Sequence, residues 1–243
     1  PETSGGYRND TSDDQQQKIK SPDKFYNFMK IAFADGFAVH AHTIGSRGVA
    51  EFLDDCERLV NETGVDLNRS RVIHAEIVRP ADFDRFVKMG IIAETNPSQM
   101  ADDMRWIKDR LGPEREKRVF PFKQYVEKGI VMTFGSDVPS NAGAIFSNHP
   151  ALAINAAVHR TNPNGEPEGG WAPNQKISVH EALKAFTING AYAVYDEDIR
   201  GSIKVGKLAD IAVCTVNIIE RPEDVLKMEI DMTIVDGKIV YEK

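Results

Sequence analysis

The sequence is poor in cysteine and has no excess of basic residues. Its two cysteines, Cys56 and Cys214, lie far apart and lack the spacing of a zinc-binding pair. We therefore expect no disulfide framework, which favours a reducing, cytoplasmic location. Acidic residues outnumber basic residues by 37 to 30, which gives a net charge of −7. Because no long basic run is present, a nucleic-acid partner is not expected.

Long apolar runs are also missing. No stretch approaches the roughly 20 residues that a membrane-spanning helix needs, so no contact with a membrane is expected. The N-terminal region has neither a signal-peptide pattern nor an initiator methionine, since the chain opens at Pro1. Residues 1–20 are polar and resemble a surface loop. We therefore expect the chain to be a piece of a longer protein, which would leave any localisation signal outside this sequence.

Strand-like and helix-like segments alternate over most of the chain. Four short apolar runs have strand character, and helix-like segments separate them at a spacing of roughly 30 residues. This alternation predicts a parallel α/β sheet, and four such units are half of an eightfold barrel. A nucleotide-binding α/β domain is disfavoured because no glycine-rich loop joins a strand to a helix. The predicted strands are residues 37–42, 70–74, 91–94 and 130–134.

Several predicted helices carry start and stop signals. Ser21 is a suitable N-cap before a proline, and Ser178 with Glu181 has the spacing of a capping box. Gly90 and Gly129 are expected to end two of the helices. The predicted helices are residues 22–35, 49–61, 80–89, a segment that ends at 111, 120–128, 149–159 and 178–195. Beyond residue 201, short strands at 211–213, 232–235 and 239–241 predict a small antiparallel β region.

Metal-capable side chains stand at the ends of three predicted strands. Asp137 follows the apolar run 130–134, and α/β barrels place their chemistry at the carboxyl ends of such strands. His40 and His42 share one face by strand alternation, and His74 ends the next strand. Imidazoles together with a carboxylate suit zinc or a similar divalent metal. The structural alternative is that Asp137 caps the next helix or turn.

Motifs around these residues point to one family. The segments are HAHTIGSRGV, SRVIHAE, FGSDVPS and the tail EALKAFTINGAYAVYDEDIRGSIKVGKLAD at residues 181–210. They resemble the amidohydrolase superfamily, and specifically its amidohydrolase-3 branch of N-acyl and formamide hydrolases. The resemblance implies the C-terminal part of a metal-dependent (β/α)8 TIM-like barrel, with strands five to eight in residues 1–200. It also implies that residues 201–243 form part of a β-sandwich.

The resemblance also implies roles for individual residues. His42 and His74 match the metal-binding histidines of the fifth and sixth barrel strands. Asp137 matches the aspartate of the eighth strand, which binds metal and transfers the proton. His40 is an additional histidine, for which the alternatives are support of the metal ligands and simple packing. The implied cofactor is therefore a divalent metal, with zinc as the first choice.

The chain departs from the family pattern at a few positions. The family aspartate after Ile-Gly is Ser46 here, and the glutamate before the second metal histidine is Ile73. The segment NPSQM replaces the usual aromatic or histidine region after the seventh strand. Asn96 in this segment and His149 are further candidates for the pocket or for support of the ligands. The residues expected to be structural are His159, His180, Lys207 and Asp210.

The resemblance implies a metal-dependent hydrolase that uses activated water on a C–N bond other than a peptide bond. The expected substrate is a small amide, N-acyl or formamide compound. The resemblance places the first-strand metal ligands outside this chain, so the missing N-terminal half of the barrel is the expected partner, with a homo-oligomer as an alternative. The competing hypothesis is a catalytically inactive homologue or fragment with an incomplete metal site, which the changes at Ser46 and Ile73 favour.

Overall fold

The computed structural model describes residues 22–67, 69–138 and 149–243. The predictions for Ser21 and for residues 1–20 therefore lie outside the described residues. The chain divides into two compact units, of which the first comprises residues 1–95 and 103–132 and the second residues 96–102 and 133–243. The predicted boundary between a barrel part and a β-sandwich part at residue 200 stays a prediction.

A parallel sheet forms the centre of the first unit. Strands β1 (His40–Thr43), β2 (Arg71–His74) and β3 (Ile92–Thr95) pair in parallel, and β4 (Met132–Phe134), of which only Met132 belongs to this unit, is next in the order of the sheet. Ala93 on β3 donates its backbone N–H to the carbonyl of Val131, just before β4. The predicted parallel α/β class is confirmed, and the closure of these strands into a barrel stays a prediction.

The helices connect and flank the strands. In the described residues they are α1 (Pro22–Ala34), α2 (Ser46–Thr63), α3 (Phe83–Met89), α4 (Met100–Asp103), α5 (Ile107–Leu111), α6 (Pro113–Glu116), α7 (Phe122–Lys128), α8 (Pro150–Val158), α9 (Val179–Phe186) and α10 (Ile188–Ala193). Helices α3 and α7 end at Gly90 and Gly129, which have φ values of 65° and 70°. Glycine adopts this left-handed conformation without a Cβ clash, so the two predicted helix ends are confirmed.

Aromatic side chains fill the core of the first unit. Tyr125 on α7 is completely buried, and its ring centroid lies 5.7 Å from that of Phe83 and 6.2 Å from that of Phe86 on α3. Each buried aromatic side chain contributes roughly 1.5–3 kcal/mol through the apolar surface that it removes from water. This packing joins α3 to α7 and fixes the position of the Tyr125 hydroxyl.

The second unit contains helices α8 to α10 and a separate antiparallel sheet. Its strands are β5 (Ile211–Cys214), β6 (Ile230–Val235) and β7 (Lys238–Glu242), in that order. Asp236 and Gly237 join β6 to β7 and have φ values of 48° and 74°, as a tight two-residue hairpin requires. The predicted antiparallel region is confirmed, whereas its membership of a β-sandwich stays a prediction.

The start of α9 carries the predicted capping box. The Ser178 backbone N–H donates to Glu181 Oε2 at 2.6 Å, and the Glu181 backbone N–H donates to Ser178 Oγ at 3.2 Å. This reciprocal pair satisfies two backbone donors that the first turn of a helix otherwise leaves unpaired. The prediction from the spacing of these two residues is therefore confirmed.

Two predicted starts are wrong because the backbone adopts another conformation there. The first strand begins at His40 and not at residue 37, since the Phe37 N–H donates to the Ala32 carbonyl and closes the end of α1. Helix α7 begins at Phe122 and not at residue 120. Phe120 has a φ of 46°, which no right-handed helix accommodates.

Two predicted helices are each divided. The segment 178–195 breaks at Thr187, whose φ of −117° and ψ of −92° separate α9 from α10. The helix that ends at residue 111 is interrupted before Trp106, whose φ of −131° separates α4 from α5. Apolar periodicity continues through both breaks, so the pattern alone did not indicate them.

Neither cysteine forms a disulfide, in agreement with the prediction. Cys56 is buried in α2 and Cys214 is exposed on β5, and both are free thiols. Burial raises the pKa of the Cys56 thiol far above its usual range, so this thiol stays protonated and unreactive. Within the described part of the chain, no helix has both the length and the apolar character to cross a bilayer.

Candidate active site

Two imidazole rings meet at the end of the sheet in the first unit. His42 lies on β1 and His74 is the last residue of β2. Their ring centroids are 4.5 Å apart, and the ring planes are inclined by 76°. His74 is only 3% exposed, whereas His42 is exposed. The structure thus brings together two of the predicted site residues, of which His74 is buried and His42 is exposed.

This contact depends on an unusual backbone at the end of β2. In the parallel register His42 pairs with Ile73, and Thr43 pairs with His74. A regular pleat would therefore place His42 and His74 on opposite faces of the sheet. His74 and Ala75 instead have φ values of 74° and 47°. Because this left-handed turn replaces the pleat, the two rings meet in spite of the register.

Hydrogen bonds from several elements of the first unit hold the left-handed segment. The Ala75 carbonyl accepts a hydrogen bond from the Tyr125 hydroxyl at 2.6 Å, and the Ala75 N–H donates to the Thr43 carbonyl at 3.2 Å. The Glu76 carbonyl accepts from the Phe120 N–H at 2.7 Å. Burial raises the pKa of Tyr125, so its hydroxyl remains a neutral donor. These bonds offset a backbone strain of roughly 1–3 kcal/mol per residue.

One buried carboxyl group lies close to His74, and a second is bonded to the first. Glu76 Oε1 is 3.8 Å from His74 Nδ1, and the Glu76 side chain is hydrogen-bonded to that of Asp103. Burial raises the pKa of Asp103 to about 6, against the opposing effects of the bond to Glu76 and the charge of Arg110. A carboxylate beside Nδ1 favours a proton on that nitrogen, which leaves Nε2 of the imidazole as the acceptor.

His40 occupies the exposed face of β1. Residues His40 and His42 are both exposed while Ala41 between them is buried, which agrees with the predicted alternation. Partial desolvation lowers the pKa of His40, and the positive charge of Arg71 lowers it further. Arg71 pairs with His40 in the register and forms a salt bridge of 2.9 Å with Glu94. His40 thus lies beside an ion pair.

Asp137 belongs to the second unit and follows β4. Its φ is 56°, so this residue is also left-handed without being glycine. Its Oδ2 accepts a hydrogen bond from Gln99 Nε2 at 2.8 Å, while Oδ1 has no hydrogen-bond partner among the described residues. Gln99 is 3% exposed. The alternative that Asp137 caps a following helix concerns residues 139–148, which lie outside the described ranges.

The two further candidates have different surroundings in the second unit. Asn96 is buried, and its side-chain oxygen has no hydrogen-bond partner in the described part of the chain. His149 is the N-cap of α8, where its Nδ1 accepts a hydrogen bond from the Ala151 N–H at 3.2 Å. A role for either residue in a pocket stays a prediction.

The residues expected to be structural engage backbone groups or solvent. His159 Nε2 lies 2.8 Å from the Pro222 carbonyl, so this half-buried ring is anchored to the backbone. Asp210 accepts the Asp236 N–H at 2.9 Å, which secures the hairpin between β6 and β7. Lys207 donates to backbone carbonyls, and His180 is exposed.

The donor atoms present suit a divalent metal in kind but not in number. The paired imidazoles of His42 and His74 are nitrogen ligands of the type that zinc prefers. In the described ranges, no group of three or more histidine, cysteine, aspartate or glutamate side chains comes together as a metal site. A complete ligand set therefore requires donors in addition to this pair.

Four residues that support the candidate residues within their own units were not predicted. Glu76, Asp103, Gln99 and Tyr125 emerge only from the structure. Glu76 had a weak signal, since it stands two residues after a candidate ligand, and Gln99 lies in the segment that departs from the family pattern. Tyr125 contacts the end of β2 from 50 residues away, and no local pattern announces such a contact.

Replacing Tyr125 by phenylalanine tests the support of the left-handed segment. Tyr125→Phe leaves the buried Ala75 carbonyl without its donor, which typically costs about 1–3 kcal/mol. We expect faster amide hydrogen exchange in a peptide that contains residues 74–77 of the full-length protein, measured by mass spectrometry. The matched control is Tyr26→Phe, which removes a hydroxyl bonded to Glu62 at 2.7 Å. Equal exchange at 74–77 in both variants would rule out this role.

The buried Asp103 carboxyl predicts a pH dependence of stability. Its pKa is raised from 3.8 to about 6 in the folded protein, so folding favours the protonated form. The resulting stabilisation is complete below the unfolded value and is lost as pH rises toward 6. Asp103→Asn stays neutral, so its stability relative to wild type should increase by about 2 kcal/mol between pH 4 and pH 7. Urea unfolding at several pH values measures this difference, and parallel curves for both proteins would refute it.

Comparison with known proteins gives one consistent result. A model of the amidohydrolase family matches residues 4–241. The chain is 30% identical over 238 residues to the putative amidohydrolase YtcJ of Bacillus subtilis, covering 98% of this chain and 43% of that protein. It is 26% identical over 210 residues to the N-substituted formamide deformylase of Arthrobacter pascens, covering 86% of this chain and 37% of that enzyme.

A solved structure agrees with the sequence matches. An uncharacterised metal-dependent hydrolase from Pyrococcus horikoshii superposes with a TM-score of 0.69 and 25% identity, over 84% of this chain and 39% of that one. The chain thus spans less than half the length of each of these relatives. The resemblance first seen in the motifs at His42, His74 and Asp137 is confirmed over nearly every residue, and the chain belongs to the amidohydrolase family.

Proposed function

We propose that this chain contributes to the active site of a metal-dependent amidohydrolase that hydrolyses a C–N bond in a small molecule. The observation that carries the proposal is the contact of the His42 and His74 rings on a strained strand end. Backbone strain of this kind persists where the surrounding structure enforces it, and it clusters at functional sites. Because the chain belongs to the amidohydrolase family, the reaction that we propose is hydrolysis.

We assign two of the metal ligands to His42 and His74. Zinc is the proposed metal because neutral imidazole nitrogens are among its preferred ligands. Glu76 lies on the Nδ1 side of His74, which leaves Nε2 for the metal. Asp137 is the proposed carboxylate ligand, and the remaining donors would come from parts of the protein outside this chain. A divalent metal supplies Lewis acidity, which polarises a carbonyl group and makes water a stronger acid.

The proposed role of Asp137 is proton transfer. Its Oδ2 is occupied by the Gln99 amide, so Oδ1 is the atom that would take the proton from the attacking water. The same atom would then pass the proton to the leaving nitrogen, since an amine leaves more readily when protonated. His42 and His74 would hold the metal during this step and would not themselves need to change protonation state.

The proposed substrate class is an N-acyl amide or an N-substituted formamide. One relative of this chain is an N-substituted formamide deformylase, which supports the formamide type. Deamination and ester hydrolysis would use the same kinds of groups, so the residues of the site do not by themselves select the bond. The competing proposal is an inactive homologue, and the lack of a three-donor cluster in the described residues favours it. Zinc content of the full-length protein separates the two proposals.

Metal affinity distinguishes the two histidines of β1. His42→Ala should weaken zinc binding to the full-length protein far more than His40→Ala, because the His42 ring contacts the His74 ring. Loss of a zinc ligand should lower the zinc affinity by at least roughly 10–100-fold, which is the typical effect of losing a group that only supports a ligand. Competition with a chromophoric chelator measures both constants. A larger loss in the His40 variant would reverse the assignment.

The role of the Asp137 carboxylate in proton transfer is tested by measuring enzyme activity. Asp137→Asn keeps the shape of the side chain and its bond to Gln99 but removes the proton acceptor. We expect kcat to fall by about 10²–10⁴-fold while the melting temperature changes little. The assay uses an N-substituted formamide and an N-acyl amide with the zinc-loaded full-length protein. Wild-type turnover by this variant would exclude Asp137 from the chemistry.

A further inference from the structure

A buried amide stands beside the Asp137 carboxylate. Gln99 ends the short 3-10 turn Pro97–Gln99 that follows β3, and its backbone N–H donates to the Asn96 carbonyl at 3.0 Å. Its side chain is 3% exposed, so surrounding atoms restrict where the amide can lie. Burying a side-chain amide is costly unless its polar atoms find partners. Gln99 therefore offers a hydrogen-bond donor at a fixed position.

The chemistry of the two groups fixes which atoms face each other. An ionised carboxylate only accepts hydrogen bonds, so the amide nitrogen of Gln99 and not its oxygen must face Oδ2 of Asp137. The Nε2 to Oδ2 distance of 2.8 Å is typical of a hydrogen bond strengthened by charge. The left-handed backbone at Asp137, with φ of 56°, is a second restraint on the same side chain. Together they leave Oδ1 as the oxygen without a partner in the described residues.

We infer that Gln99 is a positioning residue that holds Asp137 by Oδ2 and presents Oδ1 to the metal and the reacting water. This inference rests on the proposed function of Asp137. A carboxylate that turns freely about its last bond exchanges its two oxygens and spends only part of its time in the reactive orientation. Small misplacements of catalytic groups can reduce turnover by roughly 10²-fold. The donor from Gln99 removes this freedom.

A purely structural role for the same bond makes different predictions. If Gln99 only tied its turn to the loop after β4, its loss would lower stability and leave the properties of the folded site unchanged. If it positions Asp137, its loss must weaken metal binding and turnover while the substrate concentration at half-maximal rate stays nearly constant. Removal of the Gln99 donor must also have no further effect in a variant that lacks the Asp137 carboxylate.

The test uses isosteric substitutions in the full-length protein. Gln99→Met keeps the size of the side chain and removes the donor, and Gln99→Glu keeps the shape but sets an acceptor against Oδ2. The matched control is Gln175→Met, a second buried glutamine of the same unit that stands outside the Asp137 loop. The zinc dissociation constant is measured by chelator competition, without substrate, and kcat and KM are measured with an N-substituted formamide.

We expect Gln99→Met to weaken zinc binding by about 10–100-fold, the typical loss when a group that orients a metal ligand is removed. We expect a similar fall in kcat and a change in KM of less than about twofold. Gln99→Glu should lose at least as much, and Gln175→Met should match wild type. In the Asp137→Asn background, adding Gln99→Met should change neither the zinc affinity nor kcat further.

Each contrary outcome has one meaning. Wild-type zinc affinity in Gln99→Met, or equal losses with and without the Asp137 carboxylate, would overturn the positioning role while leaving the proposed function intact. Wild-type zinc affinity and turnover in Asp137→Asn alone would instead refute the role of Asp137 in the proposed function. Should Gln99→Met fail to fold, the same comparisons are made with Gln99→Glu, which preserves the buried shape.

Discussion

The left-handed backbone at His74 and Ala75 is the constraint on which the candidate site depends. It brings the His74 ring to His42 across a register that would otherwise separate them. Such backbone costs roughly 1–3 kcal/mol per residue and needs compensation from its surroundings. The Tyr125 hydroxyl supplies part of it, and the aromatic packing of α3 against α7 holds that hydroxyl in place. The site and the core of the first unit are therefore energetically connected.

The second unit uses the same physical device at Asp137. A residue that is not glycine again adopts a left-handed conformation just beyond a strand, and a buried side chain from a distant part of the sequence fixes it. Gln99 is 38 residues from Asp137, as Tyr125 is 50 residues from Ala75. In both units the end of a strand thus determines the position of the candidate side chain. A long-range hydrogen bond then restrains its orientation.

The sequence predicted the chemical groups better than their orientation. Apolar runs that end in His74 and Asp137 indicated buried strands, and the alternation of strands with helices indicated a parallel sheet, because both patterns are local. The left-handed turn at His74 was not predictable, because histidine has no backbone preference strong enough to indicate it. The contacts made by Tyr125 and Gln99 depend on how distant segments pack, which local periodicity does not contain. Strand β1 began later than predicted for a different reason, because the Phe37 N–H bonds the Ala32 carbonyl at the end of α1.

The central claim is that His42 and His74 bind one metal ion through their imidazoles. X-ray absorption spectroscopy at the zinc edge reports directly on imidazole ligands, through the scattering of the rigid ring. For the zinc-loaded full-length protein we predict scattering from at least two imidazoles, with one fewer in His42→Ala and one fewer in His74→Ala. An imidazole contribution that is the same in wild type and in both variants would contradict the account.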